Sequence, residues 1–113
     1  YTVATGLAPS DHAGAFVGHV GTAADKVTET VKVITDQFAR MRDVGPTAEE
    51  LAAAKAFLIG SYPLRFDTSD KIAGSILAIQ VDDLGIDYID KRNGLIDAVT
   101  LDDARRAARR LRS

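Results

Sequence analysis

An α+β fold is what this sequence predicts: an antiparallel β-hairpin, part of a larger sheet, followed by about five helices packed on one face. Three observations predict it. Residues 1–20 alternate with a period of two, the period changes to about 3.6 after Gly21, and capping and stop residues then divide the remaining chain into helical lengths. At 113 residues, with 46% apolar and 27% charged residues, the composition is that of an ordinary globular domain.

Tyr1-Thr2-Val3-Ala4-Thr5 mixes aromatic and β-branched residues with small ones, and Ala15-Phe16-Val17-Gly18-His19-Val20 repeats the pattern. Ala8 to Gly14 lies between them and carries Pro9, Ser10, Asp11 and Gly14, residues that favour turns. The first helix follows with Val27, Val31, Ile34, Phe38 and Met41 on one stripe. Thr22 and Asp25 are placed to cap it, and Gly45-Pro46 stops it. Thr47-Ala48-Glu49-Glu50 is a capping box for a second helix that buries Leu51, Ala54, Leu58 and Tyr62. Pro63 kinks or ends that helix.

Asp67-Thr68-Ser69-Asp70 offers N-caps for a third helix whose face is Ile72, Ala73, Ile76, Leu77 and Ile79, ending at Gly85. A short fourth helix spans Asp87 to Ala98 and is weakened by Asn93-Gly94. Thr100-Leu101-Asp102-Asp103 starts a fifth, with the stripe Leu101, Ala104, Ala108 and Leu111. The connections are short and show no linker, so residues 1–113 read as a single partial domain, strands over about 1–20 and helices over about 22–112. Two strands alone make a marginal sheet, and the chain opens in a strand pattern and closes on a helix. Either the hairpin pairs with another copy or the chain is a piece of a larger domain; the second reading accounts for more.

The residues exclude much chemistry. There is no cysteine, hence no disulfide framework or thiolate metal site, and either a reducing or an oxidising compartment is compatible. His12 and His19 have no ligand partners at helical spacing, so no metal site is expected. No nucleophile elbow or phosphate loop occurs, so no catalytic residue is assigned. No apolar run reaches bilayer length, so no membrane partner is expected, and no signal peptide is visible, although the chain opens on Tyr1 rather than Met. The net charge of −2 argues against general nucleic-acid binding. The charge is uneven, because Arg105, Arg106, Arg109, Arg110 and Arg112 close the chain. These arginines either form a solvated face that suits a helix C-terminus or grip an acidic partner or nucleic acid. The second function would make the chain a small helical interaction module.

Several phrases resemble one domain of the pitrilysin/insulinase-type zinc metallopeptidases, the family that includes the mitochondrial processing peptidases. They are Tyr1-Thr2-Val3, Gly14-Ala15-Phe16, Gly21-Thr22-Ala23, Thr47-Ala48-Glu49-Glu50-Leu51 with Ala54-Lys55, Ser69, and Val99-Thr100-Leu101-Asp102-Asp103-Ala104 with Ala107. The resemblance covers nearly the whole chain. It implies a fragment of a metallopeptidase α/β roll domain, with the remaining strands outside this chain. It further implies a non-catalytic, substrate-embracing part of an enzyme that closes around unfolded peptides. Zinc would then be supplied by the His-x-x-Glu-His motif of a catalytic domain or partner subunit, since no such motif occurs here. The implied partners are a peptide substrate and a catalytic domain or subunit of the same family, in a homo- or heterodimer. Tyr1 resembles the family's strand-opening tyrosine, which holds the substrate backbone together with an arginine seven residues upstream.

Overall fold

A computed structural model describes residues 2–10 and 12–111. It has the α+β content expected: two strands and five α-helices. The chain divides into two compact units, one running to Ala39 and the other from Arg40, where the sequence alone reads as one partial domain.

In the first unit, β1 (Thr2–Ala8) and β2 (Ala15–Gly21) pair antiparallel, from Thr2 opposite Gly21 to Ala8 opposite Ala15. Strand alternation then puts Val3, Leu7, Phe16 and Val20 on one face with Thr5 and Gly18. Phe38 of α1 (Val27–Asp43) meets Phe16 edge-on, with centroids 5.8 Å apart. A Cβ at Gly18 would stand 3.8 Å from the Phe38 ring, so the helix side chain lies over this same face. Its cover is thin. Every residue of both strands is exposed, with Val3 at 71% and Leu7 at 81%.

The start of α1 departs from the sequence reading. A 3₁₀ turn, Ala24–Lys26, precedes the helix, and Ala23 caps that turn without a side-chain bond. Thr22 therefore sits one place too early to cap, and its hydroxyl instead accepts from the Thr30 hydroxyl at 3.1 Å. Of the expected stripe, Ile34, Phe38 and Met41 are half-buried, whereas Val27 and Val31 stay exposed.

The second unit is tied together by caps and by α2 (Ala48–Gly60). Thr47 forms the expected capping box: its hydroxyl accepts from the Glu50 amide at 3.1 Å, and the Glu50 carboxylate accepts from the Thr47 amide at 2.8 Å. Helix α2 ends at Gly60, so Tyr62 belongs to a 3₁₀ turn, Tyr62–Phe66, that holds Pro63, and not to the helix as the spacing predicts. The proline ring, which cannot continue an α-helical ladder, suits the first positions of that turn. Thr68 caps α3 (Ser69–Val81), its hydroxyl accepting from the Lys71 amide. Then come α4 (Tyr88–Asp97) and α5 (Leu101–Ala108), the latter opened by a second capping box between Thr100 and Asp103. Helix α2 packs against α4, α5 and the Tyr62–Phe66 turn, and that turn packs against α3.

Helix α3 stops earlier than Gly85. The Asp83 amide bonds to the Gln80 carbonyl at 3.1 Å and the Leu84 amide to the Ile79 carbonyl at 3.0 Å, the paired bonds of a Schellman ending. Asp83 takes the left-handed position, φ +51°, that glycine usually fills. At Gly45 the left-handed residue is a glycine, φ +79°, and it is buried: a Cβ there would fall 2.7 Å from Arg105 Cγ.

Among the described residues only Tyr62, Ile79 and Ala108 form a buried apolar core. The helices are thus built largely by local signals, with little burial behind them.

The two left-handed positions give opposite expectations. Gly45→Ala meets both backbone strain and the Arg105 stem, and should lower unfolding free energy by about 1–3 kcal/mol. Asp83→Gly relieves about 1–2 kcal/mol of left-handed strain, offset by about 0.4–1 kcal/mol of added freedom in the unfolded chain. It should therefore raise stability slightly. Urea unfolding of the two variants beside the parent checks both signs.

Candidate functional site

Tyr1, the one residue to which the sequence assigns a substrate contact, lies outside the described residues. The strand that follows it is described, and it presents an uncovered surface. Val3 and Leu7 on β1 stand beside Val20 and Phe16 on β2, and the latter two are 39% and 44% exposed. The opposite face of the hairpin is built from Thr2, Ala4, Gly6 and Ala8 with Ala15, Val17, His19 and Gly21. It is small and nearly featureless. A two-stranded ribbon also carries backbone donors and acceptors along both outer edges that no neighbouring strand takes up. This arrangement can add strands or pack against an apolar surface.

The histidines stay apart in role: His12 is exposed in the loop, and His19 pairs across the hairpin with Ala4. No group of three or more His, Cys, Asp or Glu side chains converges among the described residues. No helix among them is long and apolar enough to cross a membrane.

The arginine row is less continuous than its spacing predicts. Helix α5 ends at Ala108, and the following turn tightens to bonds from Arg110 to the Ala107 carbonyl and from Leu111 to the Ala108 carbonyl. Arg109 and Arg110 therefore belong to a terminal turn, and Arg112 lies outside the described residues. Arg105 is half-buried with its stem against Gly45, and Arg106 is paired with Asp103 at 2.5 Å. The Arg105 stem thus packs within the unit while its buried Nε lacks a hydrogen-bond partner, and Arg106 pairs only within its own helix.

Asp103 is the hub of that end. Its carboxylate accepts from the Thr100 hydroxyl at 2.7 Å, from the Thr100 amide at 3.0 Å and from Arg106. These donors, the Thr100 hydroxyl foremost, pull its pKa from the ordinary 3.8 down to about 2. Glu50, in the matching box on α2, is likewise lowered, first by the Thr47 amide and then by Arg40.

Sequence reasoning missed Arg92 and Arg65. Arg92 on α4 lies 4.1 Å from the Tyr62 ring centroid and donates to the Leu58 carbonyl at 3.0 Å, so it ties α4 to the end of α2. Together with Arg65 it lines a groove beside α3. No spacing rule announces a contact between residues thirty positions apart; only the pairing of Tyr62 with a half-buried cation could have suggested it.

No protein-family model matches the chain, and neither does any curated protein sequence. The metallopeptidase resemblance rests on the residues quoted for it above.

A depressed carboxylate pKa stabilises the fold above the ordinary value, and that help fades as pH falls toward the folded-state value. The Asp103 contribution should therefore be complete above about pH 4 and disappear toward pH 2. Carboxyl-carbon NMR titration should place its midpoint near 2, and Thr100→Ala should return it toward 3.8.

Proposed function

We propose that this chain is the non-catalytic, substrate-embracing part of a pitrilysin/insulinase-type zinc metalloendopeptidase, its zinc held by another domain or subunit. The observation that carries the reading is the bare hairpin. Val3 and Leu7 point their apolar side chains from a strand pair that buries none of its residues, as expected of strands that belong to a wider sheet. The capping phrase Thr47-Ala48-Glu49-Glu50-Leu51 and the opening of α5 at Thr100-Leu101-Asp102-Asp103 are also helix starts, the role the resemblance gives them. In this reading Tyr1 opens the strand that lies along the substrate backbone, where a phenol can donate to a peptide carbonyl. The enzyme's partner domain supplies the His-x-x-Glu-His zinc site and the general base.

The alternative of an arginine-helix module is less well supported. Arg106 is paired with Asp103, the Arg105 stem is packed against Gly45, and the helix closes before Arg109.

Two measurements bear on the proposal. The purified chain with added zinc should not cleave an unfolded peptide, and sustained, chelator-sensitive turnover would overturn the assignment. Replacing Val3 and Leu7 together by lysine should reduce binding of a hydrophobic dye and leave the unfolding midpoint nearly unchanged. A loss of several kcal/mol would mean that these side chains already have a packed environment, and that the hairpin needs no further strands.

A further inference from the structure

The groove of about 620 Å³ on the second unit lies among the end of α2, the Tyr62–Phe66 turn, α3 and α4. Phe57, Leu58 and Leu64 line it, exposed by 71%, 40% and 65%. Its charged lining residues are Arg65, Lys71 and Arg92, and no Asp or Glu lines it. Lys71 is already neutralised by Asp67 at 2.8 Å. The other two cations are not. Arg92 donates to the Leu58 carbonyl and the Asn93 side chain and sits over the Tyr62 ring, all of them neutral groups. The Arg65 side chain makes no hydrogen bond or ion pair among the described residues, and Asp82, which lines the adjoining pocket with both arginines, is not ion-paired to either.

A guanidinium presents a planar fork that matches a carboxylate, and neither the half-buried Arg92 nor the exposed Arg65 has an ion-pair partner among the described residues. Exposed large apolar side chains beside two such forks make a surface with two requirements, apolar anchors and negative charge. We propose that this groove binds an acidic, amphipathic peptide segment of a partner protein, its Leu or Phe side chains against Phe57 and Leu64 and its carboxylates on Arg65 and Arg92. Every lining residue belongs to the second unit and none to the hairpin.

Fluorescence anisotropy on the intact chain tests it with three labelled probes. One is a short synthetic peptide carrying Leu and Phe anchors among glutamates, the second has lysines in place of the glutamates, and the third is a single-stranded oligonucleotide. The glutamate peptide should bind at least about tenfold more tightly than either other probe, with affinity falling as salt rises. Arg65→Glu should weaken it about tenfold and strengthen the lysine peptide; Arg65→Gln should weaken it less. Arg65 is exposed and unpaired, so both variants should keep the parent circular dichroism spectrum. Three results would each overturn the proposal: no binding of the glutamate peptide, equal binding of both peptides, or oligonucleotide binding as tight as the acidic peptide's. Indifference of the glutamate peptide to both Arg65 variants would do the same.

Discussion

The second unit depends on what converges at Tyr62, a ring only 8% exposed in a chain that buries almost nothing else. Phe66 meets it edge-on at 5.1 Å, and the Arg92 guanidinium lies 4.1 Å from its centroid while donating to the Leu58 carbonyl. One side chain of α4 thereby fixes the end of α2 and the turn after it. That carbonyl belongs to the last turn of α2, where no amide of the helix remains to bond it, so Arg92 also acts as a C-terminal cap. Lys55 does the reverse service, donating to the Asp97 carbonyl at the end of α4 at 2.6 Å. Two antiparallel favours between α2 and α4 replace what a larger apolar core would supply. A cation over a ring contributes about 0.5–2 kcal/mol, comparable to one buried aliphatic side chain.

Side-chain caps open α2, α3 and α5, whereas α4 holds its predicted place without one. Thr47, Thr68 and Thr100 each accept from an amide three residues on; Thr47 and Thr100 were legible in the sequence because the hydroxyl and its partner lie within four residues, whereas Thr68 was one of several candidates in Asp67-Thr68-Ser69-Asp70. The hairpin was legible for the same reason: its alternation and its turn residues are local. Local rules failed where a neighbouring choice intervened. Thr22 lost its cap to a 3₁₀ turn that postponed the helix, and Asp83 ended α3 because an aspartate tolerates the left-handed region well enough to forestall the wait for Gly85. Tyr62 fits the spacing of α2, but Pro63 moves it into a turn, where it becomes a core residue by a different route.

Burial was the least legible property. Periodicity identifies which side chains a helix could bury, and it says nothing about whether a surface exists to receive them. Ile72, Ile76 and Leu77 keep the spacing of a core face on α3, yet only Ile79 of that face is enclosed. On the hairpin, Val3 and Leu7 share a face with Phe16, but the ring of Phe38 reaches only as far as β2. The candidate groove was illegible altogether, since it assembles from Phe57, Leu64 and Arg92 on separate elements.

Sequence and packing together describe a chain with more apolar pattern than apolar contact. Exposed single hydrophobes are common on any protein, but here they recur at the regular positions of strands and helices, where a pattern implies a partner surface. The two exposed regions ask for different things. The hairpin offers aliphatic side chains and open backbone edges without net charge of its own, a demand that more strands meet. The α2–α3 groove offers aromatic and aliphatic side chains beside Arg65 and Arg92, which have no ion pair among the described residues. An acidic, amphipathic segment in the groove would supply both an apolar surface and carboxylates to Arg65 and Arg92.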